Sequence, residues 1–378
     1  MKTLALVLFS VGASIAASAQ AVSSGHLMYI GTLDKKLLVF DEDREAVVDQ
    51  IELGGIPRVT ALSADHKKLY LFTTKMVLEV VDLDAKKVVG SFDLADARSR
   101  PRISASGPDI VNIGANARYS GLAVDPLGRY LYTTMRVVVK DIDQYRIEPP
   151  QFVAIDVQDM KIAKSWPFPK SQDQGFGFNA TFKVSPDGKL LYVFQEDILV
   201  FDLSNFQQVD RIPLAKPSYP GATPYRLAES GDTFDTPNTI TSVFTSVDEV
   251  VHKGTLGMAT MDLTTRKIEY FPIGPLLPMM GFLLSPDHKL GYSIMPMNSG
   301  ANRTTEWWVW DIATHTVIKK KEFDSRPTFR FSVGGDGTKL YVYGAGSTVE
   351  IFDAKTLESK KVIYLNKDTT TNLIMASR

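Results

Sequence analysis

Cysteine is absent from the 378 residues of this chain, and the absence excludes several classes of protein at once. No disulfide framework, thiolate metal site or CxxCH attachment of a c-type haem can form without it. A lipid anchor on a mature N-terminal cysteine is excluded for the same reason. If the chain is exported, its stability must come from core packing and from closure of the fold.

A surplus of charge of one sign is lacking as well. The 42 Lys and Arg residues nearly balance the 43 Asp and Glu residues, for a formal net charge of −1. Overall charge therefore gives no reason to expect nucleic acid or an anionic membrane as a partner.

Catalytic motifs are also missing. No glycine-rich phosphate loop precedes a helical pattern, and no G-x-S-x-G nucleophile motif is present. The histidines are scattered, and there are only five of them: His26, His66, His252, His288 and His315. His66 and His288 stand at a turn position that Gly188 occupies in another repeat, so we interpret them as turn residues. The sequence predicts no catalytic residue, no metal site and no cofactor bound by this chain.

Long apolar runs are missing except at the N-terminus. Met1 and Lys2 precede an apolar core from Leu4 to Ile15, and the small residues Ala17-Ser18-Ala19 follow it. This pattern is typical of a secretory signal peptide over residues 1–20, and no later run is long enough to span a bilayer. We expect a mature chain that begins at Gln20 or Val22 and is periplasmic or secreted.

What the chain does contain is a repeated pair of short strands. The clearest copy is Ser185–Leu214, in which a Ser-Pro-Asp-Gly turn precedes LLYVF and then ILVFD. Apolar runs of this length, rich in aromatic and β-branched residues, predict buried strands. Aligning the chain on the tyrosine of the first strand gives seven copies: 27–32, 68–74, 130–135, 190–195, 240–246, 290–295 and 339–344.

An aspartate ends the second strand of every copy. These residues are Asp41, Asp82, Asp156, Asp202, Asp262, Asp311 and Asp353. A carboxylate directly after a strand can accept hydrogen bonds from backbone N–H groups two or three residues later. A feature repeated in every unit favours a structural role over a catalytic one.

Six copies are preceded by a further strand, and the first copy lacks it. The extra strands are predicted at 58–63, 119–124, 180–185, 225–230, 281–285 and 329–334. The apolar segment 371–377 follows the seventh copy, and we expect it to pair beside Leu27–Thr32. The sequence therefore predicts an all-β fold: one seven-bladed β-propeller over residues 21–378, with four-stranded antiparallel blades of about 51 residues each.

Strand order also predicts which loops share a face. In an up-and-down blade, the second turn and the link to the next blade lie at one end, and six of the seven longest loops belong there. We expect partner binding on this face, because interfaces favour arginine and tyrosine. The candidates are Arg98, Arg100, Arg102 and Arg118 in one loop, and Arg136, Asp141, Asp143, Tyr145, Arg146 and Glu148 in the next. The alternative is a solvated loop in which the arginines pair with the acids.

The repeated SPDGKLLYVF pattern, followed by an aspartate-terminated strand, resembles the YVTN-type seven-bladed propellers. The match is clearest in Arg58–Leu94, Ala180–Leu214, Gly281–Phe323 and Phe329–Leu365. Within that superfamily, the chain looks most like the β chains of quinohemoprotein amine dehydrogenases. The resemblance implies a non-catalytic scaffold that associates with other subunits. It also implies that quinone and haem, if present, lie on those partners.

Two other functions stay open. The stretch YIGTLDKKLLVFD at 29–41 looks like the first blade of lactonase-type propellers, which would make the chain a hydrolase. A surface or envelope interaction protein is the third possibility. Copurification with a haem-bearing chain would separate the first function from the other two.

Overall fold

The structure is a computed structural model of the chain. It describes residues 26–93, 109–115, 122–140, 145–169, 181–195, 197–214, 226–227, 238–247, 252–297, 304–324, 329–344 and 346–376. The predicted signal peptide lies outside these residues.

The described residues form β-strands and no helix, and the strands group into seven antiparallel sheets. Blade 1 contains β1 (Leu27–Thr32), β2 (Lys36–Asp41), β3 (Ala46–Glu52) and β30 (Thr369–Ala376). Blade 2 contains β4 (Pro57–Leu62), β5 (Lys68–Thr73), β6 (Val77–Asp82) and β7 (Lys87–Asp93). Blade 3 contains β8 (Asp109–Ala115), β9 (Ala123–Val124), β10 (Tyr130–Lys140), β11 (Tyr145–Ile147), β12 (Gln151–Asp156) and β13 (Lys161–Pro167).

The remaining blades follow the same order. Blade 4 contains β14 (Thr181–Val184), β15 (Leu190–Phe194), β16 (Ile198–Asp202) and β17 (Gln207–Ile212). Blade 5 contains β18 (Arg226–Leu227), β19 (Thr239–Val247), β20 (Gly254–Asp262) and β21 (Ile268–Pro275). Blade 6 contains β22 (Met280–Leu284), β23 (Leu290–Met297), β24 (Thr304–Asp311) and β25 (Thr316–Phe323). Blade 7 contains β26 (Arg330–Val333), β27 (Lys339–Tyr343), β28 (Thr348–Asp353) and β29 (Ser359–Tyr364).

The fold is therefore the predicted all-β, seven-bladed β-propeller. The innermost strands are β30, β4, β9, β14, β18, β22 and β26, in ring order from blade 1 to blade 7. The structure brings β4 against both β30 and β9, and β26 against both β22 and β30. The apolar core fills the spaces between adjacent blades, as where Phe152 of blade 3 stacks on Phe206 of blade 4 at 4.1 Å between ring centroids.

Ring closure by the C-terminal strand is confirmed. β30 pairs antiparallel with β1, with Leu27 opposite Ala376 and Ile30 opposite Leu373. Blade 1 thus combines three strands from the start of the chain with one from its end. This pairing removes two open sheet edges, which would otherwise invite association with other chains.

The seven aspartates cap turns, as the repeat predicts. Each ends its strand, and each accepts hydrogen bonds from the backbone of the turn that follows. Asp262 Oδ1, for example, accepts from the N–H groups of Thr264 and Thr265 at 2.8 and 2.7 Å. Because these carboxylates accept backbone N–H groups, they stabilise the turns between the third and fourth strands.

The Ser-Pro-Asp-Gly turns have the expected geometry too. Ser185 donates to Asp187 at 2.6 Å and accepts from the N–H group of Leu190 at 2.9 Å. Gly188 follows with a φ of 70°, and His66 and His288 adopt φ values of 55° and 57° at the same position. The prediction that these two histidines are turn residues is confirmed.

The seam between blades 7 and 1 carries a buried carboxyl group. Glu42 is 2% exposed, and both of its carboxyl oxygens accept from the N–H group of Gly335, at 3.2 and 3.1 Å. Burial raises the pKa of Glu42 to about 7, although the N–H of Gly335 opposes the shift. Lys339 crosses the same seam, where its Nζ donates to the carbonyl oxygen of Glu42 at 2.6 Å and pairs with Glu45 at 3.1 Å.

Candidate functional site

Two ends of the propeller differ in their loops. We call the end with the second turn of each blade and the blade-to-blade links the loop face, and the opposite end the turn face. On the loop face, the β1–β2 turn meets the link before β30, where Leu33 donates its N–H to the carbonyl of Asp368 at 2.9 Å. The long segments predicted for this face lie mostly outside the described residues, so their place on it stays a prediction.

The most extended feature of the loop face is an arm on blade 3. β10 continues five residues past the blade, from Arg136 to Lys140, with β8 on one edge and β11 on the other. Val138 is opposite Asn112 of β8 and also opposite Ile147 of β11. We call this three-stranded extension, β8–β10–β11, the arm.

The arm corrects part of the sequence interpretation. The sequence placed Arg98 to Arg118 in one loop and Arg136 to Glu148 in the next, yet the first of these segments contains β8 and the second contains the end of β10 and all of β11. The physical reason is the β-branched run Val137–Val139, which extends β10 and gives β8 and β11 a strand to pair with.

The structure places some of the candidate binding residues in the arm. Arg136 is half-buried at its base, opposite Gly114. Tyr145 and Arg146 lie at its tip in β11, opposite Lys140 and Val139. Glu148 directly follows β11 and is half-buried. The remaining candidates lie outside the described residues: Arg98, Arg100, Arg102, Arg118, Asp141 and Asp143. Their part in a common binding face stays a prediction.

One turn of the loop face, in blade 4, is held by a buried carboxylate. In blade 4, Asp197 is 7% exposed and accepts from Nε and Nη2 of Arg211, both at 2.6 Å, and from the N–H of Leu214 at 3.0 Å. A buried carboxylate held by a two-nitrogen contact with one guanidinium fixes the geometry of the turn before β16.

Another buried carboxyl group lies at the link between blades 1 and 2. Glu79 in β6 is 3% exposed, its Oε1 accepts from the N–H of Gly54 at 2.7 Å, and its Oε2 is buried without a hydrogen-bond partner. Burial raises the pKa of Glu79, which favours its neutral form. A Cβ at position 54 would lie 2.4 Å from Oε1, so a larger residue there would displace the carboxyl group of Glu79. Sequence reasoning missed this residue, although a lone glutamate inside the apolar run VLEVVD was a signal.

The histidines do not assemble a metal site in the part of the chain that the structure describes. Four of the five, all except His26, adopt positive φ values of 53° to 57°. His315 stacks on Phe271 with 3.4 Å between ring centroids. No group of three or more His, Asp or Glu residues among the described residues is arranged to hold a metal ion. Nor do those residues form a helix with the length and hydrophobicity that crossing a bilayer requires.

Comparison with solved structures shows the same architecture. The structure of dihydro-heme d1 dehydrogenase NirN in complex with DHE is similar over 94% of this chain and 76% of that chain, with a TM-score of 0.51 and 14% identity. A functionally unknown protein from Desulfotomaculum acetoxidans is similar over 93% and 99%, with a TM-score of 0.54 and 12% identity. Apo AztD from Citrobacter koseri is similar over 93% and 98%, with a TM-score of 0.50 and 12% identity.

These identities are low, so the likeness shows the fold and not a shared activity. No family model and no curated protein sequence matches the chain.

Proposed function

We propose that this chain is an exported, non-catalytic assembly scaffold whose loop face binds a partner protein. The observation that carries the proposal is the arm. It is a three-stranded extension that the other described blades do not have, and it stands on the face with the long links.

The arm suits protein recognition in two ways. Its strands β8 and β11 each pair only with β10 among the described residues, so each has an edge at which a partner strand could add. Tyrosine and arginine, present at its tip as Tyr145 and Arg146, are the residue types that dominate binding energy in interfaces.

The partner class we propose is a redox subunit, as the resemblance to amine dehydrogenase β chains implies. In such an assembly the propeller supports the other chains, and quinone and haem belong to them. The fold likeness to a dihydro-heme d1 dehydrogenase supports the use of this architecture in redox proteins, and it supports nothing finer.

The test is charge reversal in the arginine cluster before β8. Arg98, Arg100 and Arg102 are changed together to Glu, and the tagged protein is recovered from the organism that produces it. We expect loss of a haem-absorbing partner with little change in melting temperature, because like charges across an interface cost several kcal/mol and exposed ion pairs contribute about 0–1 kcal/mol each.

The matched control changes Lys67, Lys87 and Lys355 to Glu, which alters net charge equally at exposed positions away from the loop face. The control should recover the partner as well as the unchanged protein does. Equal recovery by the arginine triple variant would remove this cluster from the interface. Hydrolysis of a lactone by the purified chain alone would replace the scaffold function by a catalytic one.

A further inference from the structure

The innermost strands carry an unbalanced charge. These seven strands border the central channel, and together they contain four basic residues and no acidic residue in their described ranges. The four are Arg58 in β4, Lys183 in β14, Arg226 in β18 and Arg330 in β26. Acidic residues flank the strands at their ends: Asp125 follows β9 on the turn face, and the exposed Asp368 precedes β30 on the loop face.

The arginines lie close to one level of the channel. Arg330 is opposite Tyr343, the fifth residue of β27. Val59, directly after Arg58, is opposite Phe72, the fifth residue of β5. Because the second strands of the blades start at the same level of the repeat, Val59 and Arg330 occupy equivalent positions. Arg58 lies at the adjacent bulged position, about one residue nearer the loop-face end.

Arg226 and Lys183 lie to either side of that level. Arg226 is opposite Thr245, the seventh residue of β19, so its backbone is about two residues nearer the loop face. Lys183 is opposite Tyr192, the third residue of β15, so it lies about two residues deeper.

The backbone is irregular within about one residue of this level in three inner strands. The ladder is interrupted at Arg58 in β4, at Gly281 in β22, and between Leu373 and Thr369 in β30. The interruption in β30 spans Thr370, Thr371 and Asn372, all polar. A bulge takes backbone groups out of the ladder and turns the chain locally, and bulges are common beside binding sites.

At the interruption in β22, Gly281 has a backbone conformation that favours glycine and lies close to the neighbouring inner strand. It is exposed, has a φ of 69° and is skipped in the register between Met280 and Phe282. A Cβ at this position would lie 3.0 Å from the ring of Phe331, the residue next to Arg330. The backbone of β22 and the arginine-bearing strand β26 therefore approach each other closely at this level.

We infer that the loop-face end of the channel binds a small molecule through an oxyanion group, either a carboxylate or a phosphate. Arg58 and Arg330 are the ligand-binding residues, and the bulged backbone and polar residues of β30 lie between their strands. Guanidinium groups bind planar oxyanions with two hydrogen bonds, and a concave site lined by one sign of charge concentrates counter-ions. This site is separate from the arm, so it stands or fails independently of the scaffold function.

The experiment is calorimetric titration of the full chain at constant ionic strength. One titration uses inorganic phosphate as the probe, and a second titration uses citrate. We expect saturable binding of at least one probe, and the preferred probe tells whether phosphate or carboxylate is recognised. Arg330→Gln and Arg58→Gln should each weaken that binding about tenfold, the loss of one strong charged contact. Lys87→Gln, which removes an exposed cation from the outer strand β7, should bind as the unchanged protein does.

A further variant distinguishes the loss of a ligand contact from a folding defect. Arg330→Lys retains the charge and loses the two-nitrogen contact, so it should bind more tightly than Arg330→Gln and less tightly than the unchanged protein. Melting temperatures without the probe establish that the variants are folded. Absence of saturable binding by either probe overturns the inference, as does equal binding by Arg330→Gln, Arg58→Gln and Lys87→Gln.

Discussion

The hydroxyl of Tyr192 in blade 4 donates a hydrogen bond of 2.5 Å to the carbonyl oxygen of Leu263 in blade 5. Leu263 directly follows the turn-capping Asp262, so the repeated tyrosine of one blade reaches the repeated turn of the next. Tyr29 approaches the equivalent carbonyl of Leu83 at 3.5 Å, at the outer limit of a hydrogen bond. The tyrosine that defines the sequence repeat thus also contacts the neighbouring blade.

At the seam between blades 7 and 1 the arrangement changes. The equivalent tyrosine is Tyr341, whose hydroxyl is buried without a hydrogen-bond partner. The carbonyl that it would meet is that of Glu42, the residue after Asp41, and this oxygen accepts from Lys339 at 2.6 Å. The seam therefore uses a lysine where the interface between blades 4 and 5 uses a tyrosine.

These two tyrosines give a matched pair of substitutions. Tyr192→Phe should lower the free energy of unfolding by about 1 kcal/mol, because it removes the buried hydrogen bond to the carbonyl of Leu263. Tyr341→Phe should leave the stability unchanged or raise it, because it removes a buried hydroxyl that has no partner. Chemical denaturation of both variants measures the difference, and equal losses would contradict the inter-blade role of Tyr192.

Ring closure is tested by removing the C-terminal strand. Deletion of residues 369–378 should sharply lower the melting temperature and cause aggregation, because it exposes an edge of β1 and the apolar surface beneath β30. The control moves the same residues in front of His26 through a short linker, which is feasible because Ala376 and Leu27 are opposite each other. This circular permutant should regain most of the lost stability. A truncated protein with an unchanged melting temperature would show that β30 does not close the ring.

The buried Glu42 predicts a specific pH dependence. Its pKa is raised from 4.5 to about 7, so the folded state binds its proton more tightly than the unfolded state does. The stability that Glu42 contributes is complete below about pH 4.5 and is lost as the pH rises through about 7. Glu42→Gln should match the unchanged protein near pH 4.5 and exceed it at pH 8, by up to about 3 kcal/mol.

Denaturation at several pH values measures this difference, with Glu269→Gln as the control at an exposed position of β21. A stability difference between Glu42→Gln and the unchanged protein that is the same at pH 4.5 and pH 8 would rule out the titration of Glu42 in this range.

Most of the fold could be predicted from local pattern. Short apolar strands, turn residues and a terminal aspartate recur in each copy, and each is a property of a few adjacent residues. The missing first strand of blade 1 could be found because a leftover strand followed the last copy. Such inferences need only the repeat and the rule that sheet edges must be paired.

The arm was missed because the repeat set the expected length of β10. The tyrosine alignment ended this strand at Met135, and the β-branched Val137–Val139 was assigned to a loop. Glu42 was hidden for another reason. A glutamate after a turn aspartate is typical of an exposed position, and its burial depends on Gly335, which lies 293 residues away.

The channel arginines were missed because the sequence pattern was used to predict strands, and not to ask which charged residues would border the channel. Arg58 and Arg330 were assigned to the first strands of their blades, and the position of Arg58 depends on a bulge that the local sequence does not predict. Gly281 offered one signal, a glycine at the start of a strand, which often marks a bulge.

The most direct test of the scaffold function is site-specific photo-crosslinking in the organism that produces the protein. A photoreactive phenylalanine analogue replaces Tyr145 at the tip of the arm, and in a separate strain it replaces Tyr364, which is 72% exposed on the outer strand β29. The account predicts a covalent adduct with a partner chain from position 145 and none from position 364. Adducts from position 364 alone, or none from either position, would contradict the assignment of the arm as the partner-binding surface.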